Sequence, residues 1–397
     1  MRPSVRETLR YNPAHPRMMK FLAALLAGTF CSSLALAQPP SNSVLPLPPL
    51  NSKSYLLVDF QSQQVLASKN PQERIEPASL TKLMTAYVAF DALRQKRITL
   101  TQTVAVSEKA WRAAGSRMFL EPGSPVAIED LLQGMIVQSG NDASIALAEG
   151  VAGNEAAFVD QMNREAVRLG LKNSRFANVT GLPNPQHYST AEDLALLSAT
   201  IIREFPQYFP MYKLREFRYR NITQYNRNRL LGRDPFVDGM KTGYTESAGF
   251  CMIATARRGD RRLVAVVLDA GSENGRAAEA QKLLNYGFEA FDTLKLYARG
   301  QPVHEMPVWK GAKELLRAGF TEDYYMTIPK GSADRLKATM ESMQPLVAPI
   351  HAGDRVGTLK LSFEGRPFGQ QNVVALENVS IANMFIRGWH SLRLLFQ

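Results

Sequence analysis

The spacing of apolar residues changes along this chain, and that change limits the folds open to it. From about residue 78 to residue 204 apolar residues recur at helical spacing, and most of these segments follow a Ser, Asn, Asp or Thr that can cap a helix. The predicted helices cover residues 78–93, 107–114, 128–137, 143–151, 155–169, 191–204 and 277–291. The predicted β-hairpins pair residues 54–60 with 64–68 and residues 249–257 with 262–270. The pattern predicts an α+β domain over residues 51–298.

Beyond residue 298 short strand-like runs, separated by turn residues, replace the helical spacing. The runs cover residues 301–308, 324–328, 355–361 and 372–376. They predict a small all-β domain over residues 299–378, distinct from the helix-rich part before it. At 397 residues the chain is long enough for both domains, and its 45% of hydrophobic residues can fill two cores.

The N-terminal residues have the features of an export sequence. A basic stretch ending at Lys20, a 16-residue apolar run and the small-residue site at residues 35–37 predict a secretory signal peptide over residues 1–37. The run is short for the roughly 20 residues that cross a bilayer, which speaks against the alternative of an uncleaved anchor. Proline-rich residues 38–50 predict an extended linker.

The C-terminal residues 379–397 predict an amphipathic helix. One side of it carries Ile381, Met384, Phe385, Trp389, Leu392, Leu395 and Phe396, and the other carries Asn383, Arg387, His390, Arg393 and Gln397. Because two arginines are costly to bury in hydrocarbon, we expect the helix to lie in a membrane interface rather than to cross the bilayer. A terminal helix packed on its own domain is the alternative.

Cysteine, histidine and charge exclude several classes of protein. Cys31 lies in the predicted signal peptide, which leaves Cys251 alone, so a disulfide framework and a cysteine metal site are both excluded. The five histidines are scattered without metal-ligand spacing, and we expect neither a metal nor another cofactor. Residues 1–37 hold five basic residues and one acidic residue, so about +7 of the net charge of +11 stays with the rest of the chain. Without a basic run interleaved with aromatics, this charge favours a membrane or wall polymer over nucleic acid.

Three short motifs indicate the chemistry. The chain contains, in this order, Ser79-Leu-Thr-Lys82, Ser139-Gly-Asn141 and Lys241-Thr-Gly243. Each alone has an ordinary explanation as a helix residue, a cap or a turn, but their order and context make the set specific. Ser79 and Lys82 open a predicted helix three residues apart, so both lie on one face near its positive end. Lys241, together with desolvation, would lower the pKa of Lys82 and leave a neutral amine able to take the serine proton.

In and around these motifs the sequence resembles the low-molecular-mass penicillin-binding proteins, specifically the serine-type D-alanyl-D-alanine carboxypeptidases. The likeness covers nearly the whole chain after residue 37 and includes EPASLTKLMTAYV, GSRMFLEPGSPV, LLQGMIVQSGNDASIALAE and VDGMKTGYTESAGFCMIATA. It implies an α/β (α+β) serine DD-peptidase and β-lactamase-like catalytic domain, with an antiparallel sheet flanked by helices. It also implies removal of the terminal D-alanine from peptidoglycan pentapeptide stems, with β-lactam antibiotics as acylating inhibitors. Such an enzyme would be exported and held on the periplasmic face of the cytoplasmic membrane.

The resemblance also implies roles for the catalytic residues. Ser79 would be the acylated nucleophile and Lys82 its general base. Ser139 would relay a proton to the leaving amine.

The resemblance assigns the substrate-binding roles to neighbouring residues. Asn141 would hold the substrate amide, while Lys241 and Thr242 would hold the terminal carboxylate. The main-chain N–H groups of Ser79 and Tyr244 would form the oxyanion hole.

Four further residues, in the third motif or predicted to lie near it, are candidates for contact with the substrate. Gly243, in a strand with an exposed edge, admits a close approach by the substrate backbone. Tyr244 stands where some relatives carry His, which puts in doubt any tuning of substrate preference by its side chain. Arg227 and Arg276 are further candidates for carboxylate contacts, with solvated surface as the alternative.

Other functions share part of this pattern. A class A β-lactamase places a deacylating Glu roughly thirty residues after the second motif, whereas residues 166–191 contain none. A DD-endopeptidase is closer, but such relatives typically lack the C-terminal domain. A non-catalytic wall-binding protein would not need Ser79 and Lys82 intact. His187 could serve a Ser-His-Asp site, but the chain has no Gly-x-Ser-x-Gly sequence.

Overall fold

The computed structural model describes residues 45–394, which divide into two compact units, residues 45–290 and residues 291–394. The predicted signal peptide and the first part of the predicted linker lie outside the described residues. The sequence pattern predicts a division after residue 298. In the structure the strand Phe291–Tyr297 pairs with Tyr324–Pro329 and so lies in the second unit.

The first unit combines helices with an antiparallel sheet. Its helices are α1 (Lys82–Arg94), α2 (Glu108–Trp111), α3 (Ile128–Val137), α4 (Asn141–Ala152), α5 (Glu155–Leu169), α6 (Ala191–Glu204), α7 (Leu230–Arg233) and α8 (Glu273–Ala290). Its strands are β1 (Ser54–Asp59), β2 (Val65–Lys69), β3 (Thr103–Ala105), β4 (Pro125–Ala127), β5 (Glu216–Tyr219), β6 (Ile222–Tyr225), β7 (Val237–Thr245), β8 (Gly249–Arg258) and β9 (Arg261–Ala270).

The main sheet of this unit has the order β2-β1-β9-β8-β7, and every neighbouring pair is antiparallel. Both predicted hairpins are confirmed, β1 with β2 and β8 with β9. The central strands β8 and β9 are buried over most of their length, which explains their nearly continuous apolar sequence. Strand β7 lies at an edge of the sheet and begins at Val237, so Lys241 lies within the strand rather than at its start.

Helix α1 is the buried centre of the helical part. Twelve of its thirteen residues are buried, and it contacts α3, α4, α5 and α6. A helix that is surrounded in this way needs apolar residues on all sides, as its sequence has. Because α1 begins at Lys82, that lysine is drawn into the interior and is only 1% exposed. Residues Ala78–Thr81 form a 3₁₀ turn, so Ser79 precedes the α-helix instead of lying in its first turn.

The other helix bounds agree with the sequence to different degrees. Helices α3, α5 and α6 have the predicted bounds, and Asn154 and Thr190 cap α5 and α6 through their side chains. Helix α2 is shorter than predicted and is capped by Ser107. Helix α4 begins at Asn141, two residues early, with Gly140 at its cap, so Asn141 belongs to the helix.

The second unit is built mainly of strands. They are β10 (Phe291–Tyr297), β11 (Pro302–Trp309), β12 (Leu315–Gly319), β13 (Tyr324–Pro329), β14 (Leu336–Ser342), β15 (Leu346–Val347), β16 (Arg355–Phe363) and β17 (Arg366–Ala375). A six-stranded sheet has the order β14-β16-β17-β12-β11-β15, and β10 pairs with β13. The expected C-terminal β domain is therefore confirmed. The sequence pattern missed β10 because this strand follows α8 directly, without a turn residue to mark the change.

A C-terminal helix, α9 (Met384–Leu394), contacts the second unit through His390 and Arg393 and exposes apolar side chains. The main-chain N–H of Lys310 donates to His390 Nδ1 at 2.8 Å, and the rings of Trp309 and His390 meet edge to face at 5.4 Å. On the other side Met384 is 79% exposed and Phe385 is 87% exposed. Within residues 45–394, no helix combines the length and the apolar character needed to span a bilayer.

The loop between α5 and α6 lies against the turn that contains Ser79. Gly181 in this loop has a φ of +85°, and a Cβ built on it would lie 1.7 Å from Ala78 O. Only glycine tolerates both this backbone conformation and this approach. Gly153, at the end of α4, has a similar φ of +82°, but a Cβ there meets nothing within 4 Å.

Gly181→Ala should therefore destabilise the protein more than Gly153→Ala. Both substitutions place a Cβ at positive φ, which costs roughly 1–2 kcal/mol. Only the first also forces a methyl group into Ala78 O, which adds roughly 1–3 kcal/mol. Thermal unfolding followed by circular dichroism should give a melting temperature several degrees lower for Gly181→Ala, at about 2–4 °C per kcal/mol. Equal melting temperatures would contradict the close approach.

Candidate active site

Ser79 and Lys82 face each other across one turn of chain. Lys82 Nζ lies 3.0 Å from Ser79 Oγ, as the spacing of the first motif predicts. Ala78, just before the serine, has a φ of +46°, a left-handed conformation that costs a residue with a Cβ about 1–2 kcal/mol. Backbone strain of this kind concentrates at functional sites.

Two further oxygen atoms accept hydrogen bonds from the Lys82 amine. Asn141 Oδ1 lies 2.7 Å and Thr180 O lies 2.6 Å from Lys82 Nζ. Asn141 Nδ2 donates to Ala114 O at 2.6 Å, and this bond determines which end of the Asn141 amide faces the lysine. Lys82 Nζ therefore contacts a residue of the first motif, a residue of the second motif and the loop between α5 and α6.

Burial lowers the pKa of Lys82 from 10.5 to about 7, and the negative charge of Asp142 opposes this change. A substantial fraction of Lys82 is therefore neutral near pH 7. A neutral amine 3.0 Å from a hydroxyl can take its proton as a general base. From the sequence we expect Lys241 to contribute to lowering this pKa. In the structure burial dominates, and the repulsion between the two lysines instead lowers the pKa of Lys241.

Ser139 connects α3 to α4 in a strained conformation, with a φ of +66°. Its side chain is buried, and its Oγ has no hydrogen-bond partner in the described part of the chain. The structure therefore does not bond Ser139 to Ser79 or to Lys82. A buried hydroxyl without a partner is unusual and leaves both its donor and its acceptor capacity for a ligand.

The third motif lies on the edge strand β7, where Lys241 and Thr242 are both buried. A Cβ built on Gly243 would lie 3.1 Å from Ser79 N and 3.1 Å from Pro77 O. The sequence explained Gly243 by the approach of a substrate. The structure gives a different reason, since glycine lets β7 lie directly against the turn of Ser79.

Positive charge is concentrated next to this strand. Burial lowers the pKa of Lys241 well below 10.5, and the charges of Lys82, Arg227 and Arg276 lower it further. Arg276 is 5% exposed, and its Nη1 donates to Gly243 O at 2.9 Å. The alternative of a solvated Arg276 is therefore wrong. An anionic group bound here would be stabilised by these cations.

Tyr244 continues β7 beyond the motif and directs its ring outward. The side chain is half exposed and stacks on Phe250 with 4.3 Å between ring centroids. The guanidinium of Arg276 lies 5.6 Å from the ring centroid of Phe250. Phe250 thus contacts both the ring of Tyr244 and the guanidinium of Arg276.

His187 is hydrogen-bonded to Thr81 and not to the Ser79 hydroxyl. It is buried, with Nε2 2.8 Å from Thr81 Oγ1, and Ala177 N donates to its Nδ1 at 3.4 Å. Burial lowers the pKa of His187 to about 4. These contacts occupy both ring nitrogens, so the geometry does not support a Ser-His-Asp mechanism.

Sequence reasoning missed two contributors to the site. Thr180 acts through its main-chain carbonyl, which side-chain patterns do not reveal. Asp142 accepts hydrogen bonds from the main-chain N–H groups of Met118 and Leu120 at 2.9 and 3.2 Å, and so attaches that segment to α4. The sequence does contain Asn178 three residues before Gly181, a spacing typical of a tight turn, from which the turn at Thr180 could have been predicted.

Two family models match this chain. A D-alanyl-D-alanine carboxypeptidase model matches residues 41–272, which is more than half of the chain. A model of the C-terminal domain of penicillin-binding protein 5 matches residues 291–380.

Named relatives match nearly the full length. D-alanyl-D-alanine carboxypeptidase DacC of Escherichia coli (strain K12) is 40% identical over 357 residues, covering 88% of this chain and 89% of the relative. DacA of the same strain is 37% identical over 391 residues, covering 96% of this chain and 97% of the relative. The structure of penicillin-binding protein 5 from Haemophilus influenzae matches with a TM-score of 0.82 at 38% identity, over 85% of this chain and 99% of that chain. These matches confirm the resemblance found in the sequence, and the chain belongs to the D-alanyl-D-alanine carboxypeptidase family.

Proposed function

We propose that this protein removes the terminal D-alanine from peptidoglycan pentapeptide stems and so limits their cross-linking. The observation that carries the proposal is the Lys82 amine, which is buried, has a pKa of about 7 and lies 3.0 Å from Ser79 Oγ. A base with this pKa in contact with a hydroxyl activates it as a nucleophile near neutral pH. The family to which the chain belongs is named for this reaction.

Catalysis begins with the acylation of Ser79. Neutral Lys82 takes the hydroxyl proton while Ser79 Oγ attacks the carbonyl carbon of the penultimate D-alanine. The main-chain N–H groups of Ser79 and Tyr244 stabilise the oxyanion, and the closeness of Gly243 to Ser79 N supports this pairing. Ser139 relays this proton from Lys82 to the departing amine, so that free D-alanine leaves and Lys82 is neutral again. Water then hydrolyses the ester on Ser79 and regenerates the hydroxyl.

Lys241 and Thr242 hold the terminal carboxylate of the substrate. Among the described residues no acidic side chain lies within 4 Å of Lys241 Nζ, so a bound carboxylate supplies the missing negative charge. This carboxylate favours the charged form of Lys241 and thereby couples binding to protonation. Asn141 Nδ2 donates one N–H to Ala114 O, and its second N–H remains available to the substrate amide.

The alternative functions have weaker support. A D-alanyl-D-alanine endopeptidase of Pseudomonas aeruginosa is 32% identical but matches only 67% of this chain, whereas DacA matches 96%. A class A β-lactamase would need a glutamate that residues 166–191 do not contain. A non-catalytic wall-binding protein would not need the buried Lys82 amine. Susceptibility to β-lactams is supported by the ampicillin-bound penicillin-binding protein D2 from Listeria monocytogenes, which matches at 28% identity with a TM-score of 0.57.

We further propose that the first unit, residues 45–290, is the catalytic domain and that residues 291–378 of the second unit separate it from a membrane. Residues 1–37 would direct export, and residues 379–397 would hold the enzyme on the periplasmic face of the cytoplasmic membrane. The exposed apolar side of α9 supports this attachment, because a lone folded domain rarely leaves several large apolar side chains in water. The basic residues Arg387 and Arg393 favour anionic lipid.

Ser79→Ala should abolish both the release of D-alanine from a pentapeptide and labelling by a fluorescent penicillin. No acyl-enzyme can form without Ser79 Oγ. Mass spectrometry of penicillin-treated protein should show the adduct on the unmodified enzyme and none on the variant. Ser198→Ala, which removes a buried hydroxyl from α6, is the matched control and should keep both activities. Labelled Ser79→Ala protein would assign the nucleophile to another residue.

The rate of acylation should rise as the pH increases through about 7. Only the neutral form of Lys82 accepts the serine proton, and its pKa is about 7. Lys82→Arg should lower the rate by about 100-fold or more, because a guanidinium does not deprotonate. Rate constants for penicillin acylation measured from about pH 5 to about pH 9 test this assignment. The control Lys109→Arg changes an exposed lysine paired with Glu155, and a Lys82→Arg enzyme that matched it would rule out Lys82 as the base.

Phe385→Asp combined with Trp389→Asp should release the protein from membranes. Each aromatic side chain contributes roughly 1.5–3 kcal/mol when buried, so binding should weaken at least about 100-fold. Co-sedimentation of the chain without residues 1–37 with vesicles that contain anionic phospholipid measures the effect. Val167→Asp, at an exposed apolar residue of α5, is the control and should still sediment. Unchanged binding of the double variant would show that α9 is not the attachment.

A further inference from the structure

The hydrogen bonds around Lys82 determine where its lone pair points. A neutral amine has two N–H groups and one lone pair. Asn141 Oδ1 and Thr180 O can accept hydrogen bonds but cannot donate them. They therefore take both N–H groups, and the lone pair is left for Ser79 Oγ at 3.0 Å. This is the one rotation about the Cε–Nζ bond in which Lys82 can remove the serine proton.

The two acceptors are held in different ways. The Asn141 amide is oriented by Ala114 O, but the carbonyl of Thr180 belongs to a peptide group in a loop. Gly181 N–H is part of that same peptide group, and in a trans peptide the N–H and C=O bonds point in opposite directions. Gly181 N–H donates to Asn178 Oδ1 at 2.7 Å. Asn178 therefore determines the direction of the Thr180 carbonyl.

Additional bonds make Asn178 the centre of this turn. Its Oδ1 also accepts from Thr180 N and from Thr180 Oγ1, both at 3.1 Å. Its Nδ2 donates to Leu182 O at 2.9 Å. Asn178 itself makes no hydrogen bond to Ser79 or Lys82, so any effect on the site passes through the Thr180 carbonyl.

We propose that Asn178 is a positioning residue for the base: by holding Gly181 N–H it aims the Thr180 carbonyl at Lys82 Nζ and keeps the amine lone pair on Ser79. The consequence for catalysis rests on the proposed function, in which Lys82 is the general base. The consequence for Lys82 itself does not depend on any activity of the protein.

If the Thr180 carbonyl turns away from Lys82, we expect two effects on the amine, one on its pKa and one on its orientation. Carbonyl acceptors stabilise the ammonium form, so without Thr180 O the pKa of Lys82 falls further. The freed amine can also donate an N–H to Ser79 Oγ, and in that orientation it cannot take the proton. In a plot of the acylation rate constant against pH, the rising part on the acid side (the acid limb) should therefore move to lower pH. The rate constant at the plateau above it should fall. A loop that is merely less stable would lower the active fraction without moving the limb.

Replacement of Asn178 leaves the other titratable side chains near Lys82 in place. Asp142 approaches it from α4, Lys241 from β7 and His187 from the loop between α5 and α6. His187 has a pKa of about 4 and is neutral over the range in which Lys82 titrates. None of these side chains is bonded to Asn178.

The test compares Asn178→Ala with Asn184→Ala in the chain without residues 1–37. Asn184 is a matched control because its Oδ1 accepts from Gln186 N at 2.9 Å in a turn of the same loop. The Lys82 pKa is measured by NMR titration of protein with isotope-labelled lysine, with the resonance assigned from Lys82→Arg. We expect it to fall by about 0.5–1 in Asn178→Ala and to stay unchanged in Asn184→Ala. Penicillin acylation at the plateau should fall about 10-fold or more in Asn178→Ala alone.

An unchanged Lys82 pKa in Asn178→Ala overturns the proposal, whatever happens to the rate. The titration needs no catalysis, so failure of the wild-type protein to react with penicillin would count against the proposed function alone. If Asn178→Ala does not fold, Asn178→Asp serves instead, since its carboxylate still accepts from Gly181 N–H. It should raise the Lys82 pKa through its negative charge and keep the plateau rate within a few-fold of wild type. Loss of most of that plateau rate, or an unshifted pKa, would overturn the proposal.

Discussion

The burial of Lys82, which has no ion-pair partner among residues 45–394, is the constraint on which the rest of the site depends. The change in its pKa from 10.5 to about 7 corresponds to roughly 5 kcal/mol of folding free energy. The unfolded chain holds the proton more readily, so this cost is full below about pH 7 and fades as the pH rises towards 10.5. Against a typical total stability of about 5–15 kcal/mol, only a well-packed core can offset it. Helix α1, buried on every side, provides that core and has the lysine as its first residue.

The groups around Lys82 are brought together mainly by the main chain. Gly181 and Gly243 let a loop and an edge strand lie against the turn of Ser79, where a Cβ would collide at Gly181 and be crowded at Gly243. Ala78 and Ser139 hold left-handed conformations at the two places where the chain presents a serine. Because the main chain is held in strained conformations and close contacts, the distances around Lys82 Nζ depend less on flexible side chains. The surrounding fold therefore acts as a rigid support for a few polar atoms.

Local patterns predicted those features that depend on local sequence. The bounds of α3, α5 and α6 and both hairpins follow from the periodicity of apolar residues, and the contact between Ser79 and Lys82 follows from their spacing of three residues. Strand β10 was missed because no turn residue separates it from α8. Thr180 and Arg276 were missed or misjudged because their contacts, to Lys82 and to Gly243, join distant segments through main-chain oxygens. Burial lowers the pKa of Lys82 without the share expected from Lys241, and the extent of burial is a property of the whole fold.

The contacts of α9 with the second unit have a thermodynamic consequence for the proposed attachment to a bilayer surface. An isolated interfacial segment folds as it adsorbs, and each residue that becomes ordered costs roughly 1–2 kcal/mol of conformational entropy. Here the hydrogen bond from Lys310 to His390 and the contact with Trp309 already hold the helix. Its ordering is part of the folding of the second unit, so it does not weaken adsorption. The same contacts fix the rotation of the helix about its own axis, so in the proposed attachment the second unit would meet the lipid surface in one orientation.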